Sequence, residues 1–141
     1  MYSQYNQDRY LIMEIYPMLK NGYFVDIGAY DGITFSNTYF IEKKLGWNGI
    51  CIEPNKNNFD MLSRNRKFIC VNKAVGKKEI LYLPKKYLIN YTGTGYNSTV
   101  TKSIEEKEAT ECDTLTNILN ENKAPSFIHY LSVDTDGNEI N

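Results

Sequence analysis

The stretch YFVDIGAYDGITFSNT, residues 23–38, limits the folds open to this chain more than any other. An apolar run ends in Asp26, Gly28 and Gly32 come next with Asp31 between them, and Ser36-Asn37-Thr38 then offers a helix start. Such a run reads as a buried strand of the parallel kind. The two glycines suit a turn whose backbone takes positive φ or passes close to another group. The residues that follow, up to Gly76, repeat this alternation. SNTYFIEKKLGW (36–47) reads as a helix with Ser36 as its N-cap and Gly46 just past its end. GICIEP (49–54) is a second buried strand stopped by Pro54, NKNNFDMLSRNR (55–66) a second helix with Phe59 and Leu62 on one side, and KFICVNKAVG (67–76) a third strand. Strand, helix, strand, helix, strand is the pattern of an α/β domain with a parallel sheet.

The remaining segments fill in around this unit. Residues 7–20 place apolar side chains on a broad helical face, with Pro17 expected to kink or split the helix and Asn21-Gly22 to end it. EILYLP (79–84) suggests a further extended piece. Residues 84–112 are polar and read as a long excursion within one domain spanning 1–141. DTLTNILNEN (113–122) is a short helix capped by Asp113, and SFIHYLSVD (126–134) the last strand.

Composition removes several classes of function. A net charge of −1 offers no basic footprint for nucleic acid. No apolar run is long enough to span a membrane, and the first twenty residues lack a signal-peptide core. Cys51, Cys70 and Cys112 are odd in number and lack metal-knuckle spacing, which suits free thiols and a cytoplasmic, reducing setting.

In open parallel sheets ligands bind outside the carboxyl ends of the strands. Asp26 stands at that end of the first strand, and Glu53 at that end of the second, on the order of 20 residues on, as a ribose-binding acid requires. A dinucleotide site wants G-x-G-x-x-G with the pyrophosphate at the helix start. Here one of those glycines is missing, and Asp26 and Asp31 would repel a diphosphate. The same acids would attract a cation. S-adenosylmethionine carries a sulfonium, an ammonium and an adenosine without phosphate, so the charge pattern favours it. A purely structural turn in another α/β protein is the competing reading of these residues.

Four blocks in order, SQYNQD (3–8), FVDIGAYDG (24–32), SNTYFIEKKLGWNGICIEP (36–54) and YLSVDTDGNE (130–139), resemble the FkbM family of methyltransferases. The resemblance implies a class I, Rossmann-like fold and S-adenosylmethionine-dependent O-methylation of a hydroxyl on a sugar, glycan or complex natural product. It maps Asp26, Gly28 and Gly32 onto the donor-binding turn, Glu53 onto the ribose acid, and Asp134 and Glu139 onto acids after the later strand. Two departures stand out: Tyr30 replaces a frequent Asn, and Asp136 a usual Glu. A class I sheet has seven strands, whereas the fourth core strand here ends near Asp134. The resemblance therefore implies that the last strands are missing, leaving an exposed apolar edge that invites a partner chain or self-association.

The other chemistry-bearing residues divide between roles. Asp134, Asp136 and Glu139 are the catalytic candidates, with Asp134 first as base for an acceptor hydroxyl; a solvated turn is the alternative. DTDGNE lacks the spacing of a calcium loop. Asn37 could touch the donor's amino-acid end or serve only to start the helix. His129 reads as a packed strand residue, and Cys51 and Cys70 as small buried hydrophobes. The tyrosines of 87–96 could line an acceptor groove or belong to a loop. A nicotinamide or other nucleotide enzyme and a catalytically silent donor-binding fragment are the competing functions. No metal is expected among the site residues, although the acids would also suit a metal-assisted transfer.

Overall fold

The computed structural model describes residues 2–3, 6–84, 87–92, 99–104 and 107–135, with the backbone alone for 84, 87–92 and 99–104. In chain order the elements are α1 (Gln7–Tyr10), running into a π-helical turn over Leu11–Ile15, then β1 (Tyr23–Ile27), α2 (Tyr39–Leu45), β2 (Asn48–Ile52), α3 (Lys56–Asn65), β3 (Ile69–Val71), β4 (Ala74–Val75), β5 (Glu79–Pro84), β6 (Tyr87–Thr92), β7 (Thr99–Ile104), β8 (Lys107–Asp113), α4 (Leu115–Glu121) and β9 (Tyr130–Val133). β3, β2, β1 and β9 lie side by side in that order as a parallel sheet, flanked by helices, which makes the domain α/β and Rossmann-like.

The alternation of strand side chains builds two apolar layers. Phe24 and Cys51 face Leu11, Ile12, Ile41, Leu45, Trp47 and Leu62 from the α1–α3 side. Val25, Ile27, Ile50 and Ile52 face Ile118 of α4 on the other. Trp47 is anchored where the chain leaves α2, its indole N–H donating to the Leu19 carbonyl at 2.7 Å. α2 ends as its sequence suggests, with Gly46 at φ 67°. α3 is started by Asn55, whose side chain accepts from the amides of Asn57 and Asn58.

Several sequence expectations need correction. The first helix is not kinked at Pro17 but ends at Ile15, before the ring would remove a helical donor. α2 begins at Tyr39 rather than directly after Ser36, yet the Ser36 hydroxyl still accepts from the amides of Thr38 and Tyr39. α4 is capped by Thr114, which accepts from the Asn117 amide, while Asp113 accepts from the Thr114 amide and the Asn117 side chain. The third strand splits, β3 joining the parallel sheet and β4 pairing with β8. The polar excursion contains three strands: β8 pairs antiparallel with β5, and β6 with β7. β9 starts only at Tyr130, so His129 precedes it. No helix among the described residues is long and apolar enough to cross a membrane.

β9 pairs with β1 and with no other strand among the described residues. Its Leu131 and Val133 continue the Val25 and Ile27 layer beyond the cover of α4 and are 48% and 43% exposed.

Candidate active site at the carboxyl ends of the parallel strands

Three acids gather at one end of the sheet. Asp26 lies next to the last residue of β1, Glu53 directly succeeds β2, and Asp134 directly succeeds β9. The turn between them is tied to both neighbours. The amides of Gly28 and Ala29 donate to the Ile52 carbonyl at 2.9 and 3.1 Å, and the Asp134 amide donates to the Ile27 carbonyl at 2.9 Å. Gly28, at φ 81°, packs so closely on the end of β9 that a Cβ there would sit 1.7 Å from the Asp134 carbonyl oxygen. Gly32, at φ 80°, is similarly closed by Leu62 and Arg66. These two glycines are required by backbone proximity to neighbouring protein as well as by conformation.

Glu53 is 6% exposed and is held by main-chain donors, its Oε2 accepting from the Tyr30 amide at 2.9 Å and its Oε1 from the Asn55 amide at 2.8 Å. Tyr30 takes a left-handed φ of 51°, a conformation in which Asn is less strained. Asp31 does not face a ligand with both oxygens. Its Oδ1 accepts from the Ile33 and Thr34 amides and its Oδ2 from the Thr34 hydroxyl. Burial works to raise its pKa, but these hydrogen bonds prevail and hold it below the ordinary value. Part of the negative charge assigned to the turn from sequence is thus engaged in local structure.

Asp26 is 4% exposed and sits in a buried network that sequence reading does not reveal. Thr38 donates its hydroxyl to Asp26 Oδ2 at 2.5 Å and accepts from Arg66 Nη2 at 2.9 Å. The Arg66 guanidinium is wholly buried, pairs through Nε with Glu42, and donates from Nη1 to the Gly32 carbonyl at 3.1 Å. It lies 5.3 Å from the ring centre of Phe24 and 5.8 Å from that of Tyr39. Burial raises the Asp26 pKa, Thr38, Arg66 and Ser132 oppose that rise, and Asp134 adds to it. Ser132 also accepts from Asn37 Nδ2 at 2.9 Å, while Asn37 Oδ1 is buried without a hydrogen-bond partner.

The site residues named from sequence therefore divide. Asp26, Gly28, Gly32, Asn37, Glu53 and Asp134 converge on one turn, and the Asp134 side chain is exposed rather than turned into the core. Asp136 and Glu139 lie outside the described residues, as does the 93–96 part of the tyrosine-bearing stretch. His129 is structural: its Nδ1 accepts from the Tyr23 amide at 3.0 Å, its amide donates to the Tyr23 carbonyl, and its ring packs on Tyr16, Trp47 and Phe127. The Cys51 thiol is buried, and burial pushes its pKa well up, as befits an inert core residue. A groove of about 800 Å³ lies elsewhere, between the first helix and the amino end of β9, and no residue of the glycine turn lines it.

No curated protein and no solved structure matches the chain. A family model described as the Methyltransferase FkbM domain matches residues 26–141, from the acid of the glycine turn onward. That match covers well over half of the 141 residues, includes every site residue discussed above, and runs along the parallel sheet that carries them. The chain belongs to the FkbM methyltransferase family.

Proposed function

We propose that the chain uses S-adenosylmethionine to methylate a hydroxyl of a sugar, glycan or complex natural product. The observation that carries this reading is the convergence of Asp26, Glu53 and Asp134 on the Gly28–Gly32 turn at the carboxyl ends of three adjacent strands, with the buried Arg66 behind the turn engaged by Glu42. An acidic site of this kind suits a cationic donor and disfavours a dinucleotide diphosphate.

The residues present fit that donor. Glu53, at the carboxyl end of β2 and held by the Tyr30 and Asn55 amides, is the carboxylate assigned to the ribose diol. The buried Asn37 Oδ1, without a partner, is an acceptor suited to an ammonium. When bound, the donor supplies an electrophilic methyl group on a sulfonium. The protein's own part is to hold the acceptor oxygen in line with that methyl group at near-attack distance. Asp134 takes the acceptor hydroxyl proton on a carboxylate oxygen as the new bond forms. Asp136 and Glu139 are assigned to the same acceptor side. The free thiols suit a reducing, cytoplasmic setting.

A thermal-shift comparison of S-adenosylhomocysteine with NAD tests the donor class: only the former should stabilise the wild-type chain. Calorimetry should then show Asp26→Asn and Glu53→Ala each weakening S-adenosylhomocysteine, by roughly 1.5–3 kcal/mol for a lost hydrogen bond to a charged group. Unchanged affinity in both variants would remove these residues from the site.

A further inference from the structure

We propose that Thr38 and Arg66 are positioning residues of the donor site, a buried relay running Glu42–Arg66–Thr38–Asp26 that fixes the Asp26 carboxylate and clamps the glycine turn from beneath. The proposal rests on the donor reading above and adds to it residues that lie outside the glycine turn.

The geometry argues for a function beyond filling the core. A guanidinium is a planar fork with five N–H donors. Here Nε goes to Glu42, Nη1 to the Gly32 carbonyl and to Ser36 Oγ at 3.3 Å, and Nη2 to Thr38 Oγ1 at 2.9 Å. One side chain thus reaches the end of the glycine turn, the approach to α2 and, through a single hydroxyl, the acid of β1. Thr38 relays in one direction only: because its oxygen accepts from Arg66, its proton is directed to Asp26. Remove the hydroxyl and Asp26 loses its shortest contact while remaining buried between β2 and β9.

The groups around Asp26 set the expected pH behaviour. Arg66 at the end of α3 is the cation that acts on it among the described residues; Glu42 of α2 neutralises part of that charge; Cys51 of β2 and Tyr130 of β9 are neutral, with burial raising both; Asp134 beyond β9 is the nearby like charge. The Thr38 hydrogen bond favours the ionised carboxylate. Losing it moves Asp26 protonation to higher pH, so affinity for a cationic ammonium fails at a higher pH than in the wild type.

Isothermal titration with S-adenosylhomocysteine, from pH 8 down to pH 5, tests this on wild type, Thr38→Ser, Thr38→Val and the double variant Arg66→Met/Glu42→Gln. The double variant removes Arg66 and Glu42 together, so neither member of that ion pair is left buried without the other. Thr38→Val should bind at least about tenfold more weakly at pH 7, in keeping with a lost hydrogen bond to a charged group, and the deficit should widen as pH falls. Thr38→Ser should restore both affinity and pH profile. The double variant should show the same upward displacement of the profile. Wild-type profiles in Thr38→Val or in the double variant would overturn the relay, as would a serine variant as impaired as valine, since that would mark the γ-methyl packing as the cause. If Thr38→Val does not fold, the serine and double variants decide the matter. Absence of binding by the wild-type chain would instead overturn the donor reading, and the relay with it.

Discussion

Asp26 and Asp134 end neighbouring strands of one sheet, yet their surroundings have little in common. Asp26 is covered by β2 on one side and β9 on the other, and three side chains, Thr38, Arg66 and Ser132, hold it or balance its charge. Asp134 is fixed by its backbone, through the Ile27 carbonyl, while its side chain stays exposed at a margin where Leu131 and Val133 are also open to solvent. Under the proposed function, the contrast corresponds to a division of labour. A buried acid can recognise a fixed ligand because its geometry is over-determined. An exposed acid on a rigid backbone can meet a variable acceptor. Under the proposed function, the β1 side is the donor half of the site and the β9 margin the acceptor half.

Altering the exposed acid is the most severe trial of that division. With an acceptor hydroxyl supplied, Asp134→Asn should lower turnover by about 10²–10⁴-fold, the usual worth of general-base assistance. Affinity for S-adenosylhomocysteine should stay within a few-fold of wild type. A rate loss matched by an equal loss of donor affinity would place Asp134 in the donor half instead. The next largest effect tests the joint between the halves. Gly28→Ala introduces a Cβ at φ 81° and 1.7 Å from the Asp134 carbonyl oxygen. Backbone strain and overpacking together should cost roughly 2–5 kcal/mol. A melting temperature near that of wild type would mean the two strand ends separate easily and the site is not pre-built.

The two halves also differ in how far the sequence discloses them. The Asp26–Gly28–Gly32 turn, the stop at Gly46, and β1 and β2 are legible because each rests on local chemistry: an apolar run, a glycine at positive φ, a helix end. The relay is not, because its members are 12 to 28 positions apart and each reads alone as a helix start or a solvated charge. A signal was present. Glu42 falls inside the buried stripe of Ile41 and Leu45, and Arg66 lies one helical turn beyond Leu62, so both charges stand on apolar faces. The strands of the supposed excursion are obscured for another reason. In β8 the buried Thr110 and Cys112 alternate with exposed Lys107, Ala109 and Glu111, residue types that carry little strand preference by themselves. Pairing with β5 decides their conformation.

A smaller effect is expected at the β9 margin. A strand paired on one side among the described residues, with Leu131, Val133 and nearby Phe127 exposed, is a surface prone to association. Sedimentation velocity across a concentration series should reveal self-association of the wild-type chain. Leu131→Lys should weaken it about tenfold, or 1.4 kcal/mol, without touching donor affinity. A strictly monomeric wild type would show that this margin is tolerated as an ordinary surface.

The smallest effect lies within the donor half itself, because its two turn acids are perturbed in opposite directions. Asp31 is held below the ordinary carboxylate value of 3.8 by Thr34 and the neighbouring amides, which outweigh its burial. Its contribution to stability is present above that value and is lost as pH falls through the lower folded value. Asp26 is raised above 3.8, chiefly by burial. Its contribution is present below 3.8 and is lost as pH rises through the higher folded value, so at neutral pH the ionised, buried Asp26 costs stability. Asp31→Asn should therefore melt slightly lower than wild type at pH 6, with the gap closing toward pH 3. Its size should stay below about 1 kcal/mol, because Asp31 is largely screened by solvent. Asp26→Asn should behave in the reverse sense, melting no lower than wild type at pH 7 while binding S-adenosylhomocysteine more weakly. Melting curves at pH 3, 5 and 7 decide it. An Asp26→Asn variant that is less stable at pH 7 but equal to wild type at pH 3 would mean the ionised carboxylate supports the fold rather than straining it, and the case for retaining a buried acid there on account of the ligand would fall.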